Sequence, residues 1–267
     1  MKHLFVLVAL AAMLTTAAAV SAAPASAPTK KPGVLTVAFG DSAVGFASYT
    51  LRGNTVKNPR GYEVDLAKAI AKQLGISKIN WVFTPWTGLF APGTKKFDIS
   101  FQEATITAER KKTVDFSNSY LNANQGVLIS HKAKTPHSIA DVKKMQTCAQ
   151  VDTTGLDWIK TKLHPNKSPL TYQTTAAAFT AVQVNRCDAL ILDVPIVALQ
   201  KKSKPGAYGP VAGQVVTHEQ YGAVMQKGSK LKGDVDRAIS KLTKNGTVGK
   251  LQKKWFNLNF GVIPTLK

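Results

Sequence analysis

Acidic residues are scarce: 15 Asp and Glu stand against 35 Lys and Arg in 267 residues, a formal charge of +20. A balance this basic is one mark of nucleic-acid binding. The lysines fall in ones and twos, however, without an arginine-rich stripe or a stacking-aromatic motif, so nucleic acid is not an expected partner. They read as a solvated basic surface suited to an anionic cell envelope. Cysteine is nearly missing too. Cys148 and Cys187 are too few for a disulfide-dense scaffold and leave open one bridge, two free thiols or half a metal site. Metal-ligand spacing, a phosphate-cradling glycine loop and a nucleophile–base pair are all absent, which speaks against the common enzyme classes and implies no cofactor.

Long apolar runs are missing, with one exception at the start. Lys2 and His3 precede the apolar stretch Leu4 to Leu14, and Val20-Ser21-Ala22 fits a small-x-small cleavage pattern. Residues 1–22 therefore read as a secretory signal peptide. The stretch is shorter than the ~20 residues a membrane span needs. Residues 23–32, rich in Ala, Pro and Ser, read as a flexible leader. The expected destination lies across the inner membrane, in a periplasm or cell-envelope space, where two cysteines favour a disulfide. Removing Lys2 leaves 34 basic residues against the same 15 acids. The roughly 240 residues that remain suffice for one large domain or two small lobes. An apolar content of 44% is ordinary for a core-forming chain.

The mature part alternates short apolar runs with helical patterns. Val34 to Phe39 is strand-like. From Gly61 to Gly75, Val64, Ala67, Ile70, Ala71 and Leu74 recur at helical spacing, with Glu63 and Asp65 near the start and Lys68 and Lys72 later, as a helix dipole favours. Ile79 to Phe83 and Phe97 to Phe101 read as further strands. The pattern restarts with a strand at Thr147 to Val151, a helix over Ala176 to Val184, a turn at Asn185-Arg186 and a strand from Cys187 to Leu192. Val235, Ile239 and Leu242 mark a helix ending at Asn245-Gly246, and Val248, Leu251 and Trp255 mark a last one. Such alternation predicts an α/β fold with parallel sheets. Two polar junctions, Asn122 to Gly126 and Thr217 to Gln220, separate the two sets. They divide the chain into a first lobe (33–123 and 219–267) and an inserted second lobe (124–218), with two crossings suited to hinge closure.

In open α/β sheets, ligands bind beyond the carboxyl ends of the strands. There the sequence collects Asp41, Trp86, Glu103, Thr105, Arg110, Asp152, Thr153, Thr154 and Asp193. These suit a free amino acid. A guanidinium can grip a carboxylate through two parallel hydrogen bonds. Asp193 can take an ammonium, threonines after a strand can donate, and Trp86 can wall an apolar or cationic side chain. Taken singly, each has another reading: Arg110 in a solvated charge run, Trp86 in the core, Asp193 as a helix cap before Pro195, and Thr153-Thr154 as an N-cap only.

The run Thr105-Ile106-Thr107-Ala108-Glu109-Arg110, followed by Val114-Asp115-Phe116-Ser117 and Tyr120, resembles the signature of the family 3 extracellular solute-binding proteins, the amino-acid receptors of bacterial ABC importers. Gly61-Tyr62 with Asp65-Leu66-Ala67, Trp86 with Gly88-Leu89, Phe97-Asp98, Asp152-Thr153-Thr154-Gly155, Arg186-Cys187-Asp188-Ala189 with Asp193, and Lys254-Trp255-Phe256 follow in the family's order across nearly the whole mature chain. The resemblance implies a two-lobe periplasmic-binding-protein-like fold of type II, acting as a monomer with an ABC transporter permease as membrane partner. It gives Arg110 the ligand carboxylate, Thr105 and Asp193 the ammonium, Thr154 a carboxylate contact from the second lobe, and Trp86 the side-chain wall. It also implies a Cys148–Cys187 disulfide. Two residues depart from the pattern: Glu103 stands where many members have serine or glycine, and Asp152 where glycine is common. The early aromatic of the first-lobe loop has no clear counterpart in Ala43 or Val44, with Phe46 nearby. A polar or cationic ligand is expected. A prephenate- or arogenate-type dehydratase on the same fold is the alternative, with Glu103 as its acid.

Overall fold

Strands and helices alternate from Val34 onward, as the apolar pattern requires. A computed structural model describes residues 27–267; the expected signal peptide, 1–22, lies outside the described residues. The first half runs β1 (Val34–Phe39), β2 (Ser48–Arg52), β3 (Thr55–Arg60), α1 (Tyr62–Gln73), β4 (Lys78–Phe83), α2 (Trp86–Leu89), β5 (Ile99–Ser100) and β6 (Val114–Ile129). It continues with α3 (Ile139–Lys144), β7 (Thr147–Gln150), α4 (Thr154–Trp158), β8 (Leu170–Tyr172), α5 (Thr175–Gln183), β9 (Ala189–Asp193), α6 (Val194–Ser203), β10 (Val211–Gln226), α7 (Lys232–Lys244) and α8 (Thr247–Trp255).

Among the described residues the strands form one sheet ordered β2-β3-β4-β1-β5-β10-β6-β9-β7-β8. β1 is parallel to β4 and β5, and β7 is parallel to β8 and β9. These two parallel sets are the centres of the two lobes. They are joined by β6 and β10, 16 residues each and antiparallel to one another. β10 touches β5 through Val224, whereas the far end of β6 pairs with β9 through Gln125 to Ile129.

The polar junctions of the sequence thus lie inside long strands, not in loops. Their ladder is broken between Val215 and Glu219, where His218 takes φ +53°. Asn124 Oδ1 accepts the backbone N–H of Thr217 and of His218 at 3.0 and 3.1 Å, so one side chain holds the irregular step. β6 is mostly buried on both faces and β10 carries polar residues through its half-exposed middle, so neither shows a period-two apolar signal. The β2–β3 hairpin was hidden for the same reason, since most of its side chains face solvent. The strand expected over Phe97 to Phe101 shrinks to two residues.

Residues 27–32 are not the free leader their composition suggested. Ala27 packs on the core, and the Lys30 N–H donates to Asp98 Oδ1 at 2.7 Å. Helix α1 buries Val64, Ala67, Ile70 and Ala71 as its periodicity required. Its start is possible only with glycine: Gly61 has φ +139°, and a Cβ there would lie 2.2 Å from Phe46 O. Phe46 itself is fully buried, packed on Tyr62 and on Phe256 just beyond α8. It is a core residue rather than a substitute for the missing loop aromatic.

Cys148 in β7 and Cys187, just before β9, form a disulfide with Cα atoms 5.9 Å apart. No helix among the described residues is long and apolar enough to cross a membrane.

Candidate functional site

β1, β5, β7 and β9 all end at one place, and the loops after them form the walls of a cleft between the lobes. Of the seven expected ligand-binding residues, Asp41, Trp86, Glu103, Thr105, Thr154 and Asp193 line a single cavity of about 30 Å³, joined by Gln102, Gln150, Thr153, Thr175, Leu192 and Ile196. That volume holds only a water or two. The lobes are drawn together across it: Trp86 Nε1 donates to Val151 O at 3.1 Å, and Arg110 Nη2 donates to Asp152 O at 2.9 Å.

Arg110 does not line this cavity. It starts a single 3-10 turn, and its other described guanidinium bond, from Nη1, goes to Thr105 O at 2.8 Å. Its Cζ lies 5.1 Å from the Trp86 ring centre and 4.2 Å from that of Phe90. Burial pulls its pKa down to about 10, against the opposing charges of Asp193 and Glu219. Arg110 therefore stays within the electrostatic reach of the cleft acids while its donors are held by backbone of both lobes. The reading of Arg110 as part of a solvated charge run does not hold.

Asp193 occupies the N-cap position of α6, yet its side chain makes no cap bond. Oδ1 accepts from Gln125 Nε2 at 2.7 Å, and Oδ2 accepts from the Tyr221 hydroxyl. Burial first, and the Glu219 charge second, push its pKa up to about 7. Thr153 is the N-cap of α4, accepting from the Leu156 N–H at 3.2 Å. Thr154, one residue on, turns its hydroxyl into the cleft. Gly155 lets α4 approach β9, since a Cβ there would sit 2.7 Å from Ile191 O.

Glu103 is buried and held at φ +50°. Its carboxylate accepts from Ser42 Oγ at 2.9 Å, and its N–H donates to Glu63 Oε1 at 3.0 Å. Glu63 is fully buried and also accepts from the Tyr120 hydroxyl, while its Oε2 has no N–H or O–H donor. Burial and mutual repulsion raise the pKa of Glu103 well above the usual carboxylate range, and burial pushes Glu63 up to about 7. Asp152, the second departure, takes φ +58° and offers its carbonyl to Arg110. Both departures thus fall on left-handed backbone where glycine would be unstrained.

Sequence reasoning missed Glu63, Gln125 and Glu219. Glu63 was read only as a dipole partner near the start of α1; Gln125 and Glu219 were seen only as junction residues. Glu219 accepts from Thr105 Oγ1 at 2.8 Å, Thr154 Oγ1 at 2.6 Å and Gln125 Nε2 at 2.9 Å. An acid inside a crossing, in a chain so poor in acids, was the available signal. A larger cavity of about 330 Å³ opens behind the crossings, lined by Asn122, Asn124, Gln214 and His218 among others. Glu219 lines this larger cavity and reaches the cleft only through its bonds to Thr105, Thr154 and Gln125. The smaller cavity gathers Asp41, Glu103 and Asp193 at the strand ends and is the better candidate.

Comparison with known proteins agrees with this architecture. Residues 35–258 match the family model for bacterial extracellular solute-binding proteins, family 3. The glutamine-binding protein GlnH of a Bacillus subtilis ABC transporter is 30% identical over 240 residues, covering 86% of this chain and 87% of the relative. The structure of an ancestral arginine-binding protein bound to glutamine superposes with a TM-score of 0.73 at 30% identity, covering 85% of this chain and 99% of the other. The structure of the ancestral amino acid-binding protein AncCDT-1, a precursor of cyclohexadienyl dehydratase, superposes with a TM-score of 0.72 at 35% identity, covering 84% and 95%. With its two parallel sets joined by β6 and β10 and a family match spanning nearly all described residues, this chain belongs to the family 3 bacterial extracellular solute-binding proteins.

Proposed function

We propose that this chain is the extracytoplasmic substrate-binding protein of an ABC importer, holding a free polar or cationic amino acid between its lobes by hinge closure. The observation that carries this reading is the meeting of Thr105 from one lobe with Thr154 and Asp193 from the other at one cavity. Asp193 takes the ammonium. Arg110 takes the carboxylate: two of its five N–H donors are on carbonyls, which leaves three. Trp86 walls the side chain. Asp41 and the carboxyl of Glu103 make that end of the cavity polar, and a cationic side chain there would favour ionised Glu103, so a cationic or polar side chain suits it better than an anionic one. The broken ladder at Val215 to Glu219 is where the lobes part to admit a ligand larger than the closed cavity. The chain delivers its ligand as a monomer to a permease in the membrane, from a periplasm or cell-envelope space. Relatives named for glutamine and arginine support the ligand class without choosing among its members.

A thermal-shift screen against the common amino acids tests the reading, because a ligand held only by the folded state raises its melting temperature. A clear rise with one or a few amino acids is expected. No rise with any of them contradicts it.

A second reading rests on Glu103. A buried carboxyl with a raised pKa at the cavity wall is what a dehydratase needs as an acid. Incubation with prephenate or arogenate separates the readings: an aromatic product favours the enzyme, and unchanged substrate favours transport.

A further inference from the structure

A second acid stands directly behind the Asp193 end of the cleft: Glu219 lines the cavity behind the crossings and is bonded to the cleft-lining Thr105 and Thr154. Gln125 Nε2 donates to Asp193 Oδ1 at 2.7 Å and to Glu219 Oε1 at 2.9 Å. Those two oxygens therefore lie at most 5.6 Å apart, the sum of the two bonds. Neither carboxylate has a salt-bridge partner among the described residues. Arg110, although near, gives its described guanidinium bonds to backbone carbonyls. Two carboxylates are thus held together without a cation in contact, inside a protein with a large excess of cations.

We propose that Glu219 is a specificity-determining residue that joins Asp193 in gripping the ligand's α-ammonium. This deepens the amino-acid reading and rests on it. An ammonium making charge-assisted bonds of about 2.8 Å to two acceptors spans oxygens about 4.6 Å apart, within the limit set by Gln125. The ammonium would then reach Asp193 on the second lobe, Glu219 on the crossing strand and the Thr105 hydroxyl on the first lobe. Glu219 Oε2 already accepts from both threonine hydroxyls, which fixes its carboxylate against two residues that line the cleft. A neutral glutamine at 219 retains a hydroxyl acceptor but loses the charge, so it separates gripping an ammonium from merely holding two threonines.

The experiment compares wild type, Glu219→Gln and Glu219→Asp by calorimetry with L-lysine and L-glutamine. The same proteins are titrated with 6-aminohexanoate and glutaramate, which lack the α-amine, by competition at high concentration where direct binding is weak. Circular dichroism confirms that each variant is folded. The expected result is a loss of about tenfold or more for the amino acids in Glu219→Gln, a much smaller loss for the amine-free analogues, and partial rescue by Glu219→Asp. Equal losses for amino acid and analogue, or no loss for the amino acid, overturn the proposal and leave Glu219 a structural residue. If wild type binds no amino acid at all, the transport reading itself has failed, and this proposal with it.

Discussion

Asp193 is an acid kept where acids are costly. Its pKa, like that of Glu63, is raised by burial from the ordinary 3.8 or 4.5 to about 7. Each group binds its proton more tightly folded than unfolded. Its contribution to stability is therefore complete below the ordinary carboxylate pKa and is lost as pH rises through about 7. Asparagine at 193 mimics the protonated form at every pH. The melting temperature of wild type should thus fall relative to Asp193→Asn between about pH 5 and 8. A difference that stays constant across that range would mean that Asp193 is solvated. Arg110 makes a separate prediction. Replacing it with methionine should cost about 2–5 kcal/mol of ligand affinity, because the ligand carboxylate would be left without its cation. Unchanged affinity by calorimetry would remove Arg110 from the binding set and leave it the structural role its carbonyl bonds describe.

Among the elements, the long strands β6 and β10 decide the architecture, and they were the least legible in the sequence. Helices α1 and α7 were legible because each buries one apolar stripe, and α8 because Val248, Leu251 and Trp255 keep helical spacing where it packs on α1 and α7. β1 and β4 were legible as apolar runs. The crossings were read as polar but not as extended, since polar side chains fill the middle of both strands, set among buried residues in β6 and half-exposed in β10, and no apolar alternation results. Most of the cleft could be read because ligand groups follow strand ends in this topology. Glu219 could not, because it reaches the cleft from the middle of a strand. The burial of Glu63 could not be read either; its place in the first turn of α1 looks the same whether it faces solvent or Glu103. The disulfide belongs to this scale as well. It ties β7 to the turn before β9, closing a separation of 39 residues. Replacing both cysteines with serine should cost roughly 4 kcal/mol in urea unfolding, on the chain-entropy account. A negligible cost would show that the β7–β9 pairing already confines that segment in the unfolded chain.

For the whole molecule, charge is divided by place. Glu103, Asp193 and Glu219 sit in or beside the cleft, while most lysines face solvent, so a cationic group entering the cleft leaves a basic surface for an acidic interior. The lobes meet there through Trp86 and Arg110, and in the proposed hinge motion they part at the broken ladder of β10. Everything proposed about transport depends on that cleft holding a zwitterion by its two ends. The most direct measurement is calorimetric titration of lysine, arginine, histidine, glutamine and glutamate into wild type and Asp193→Asn. The account expects saturable binding of one or more of the first four to wild type, with glutamate weakest, and a marked loss in Asp193→Asn. A preference for glutamate, or binding that Asp193→Asn leaves intact, would contradict it.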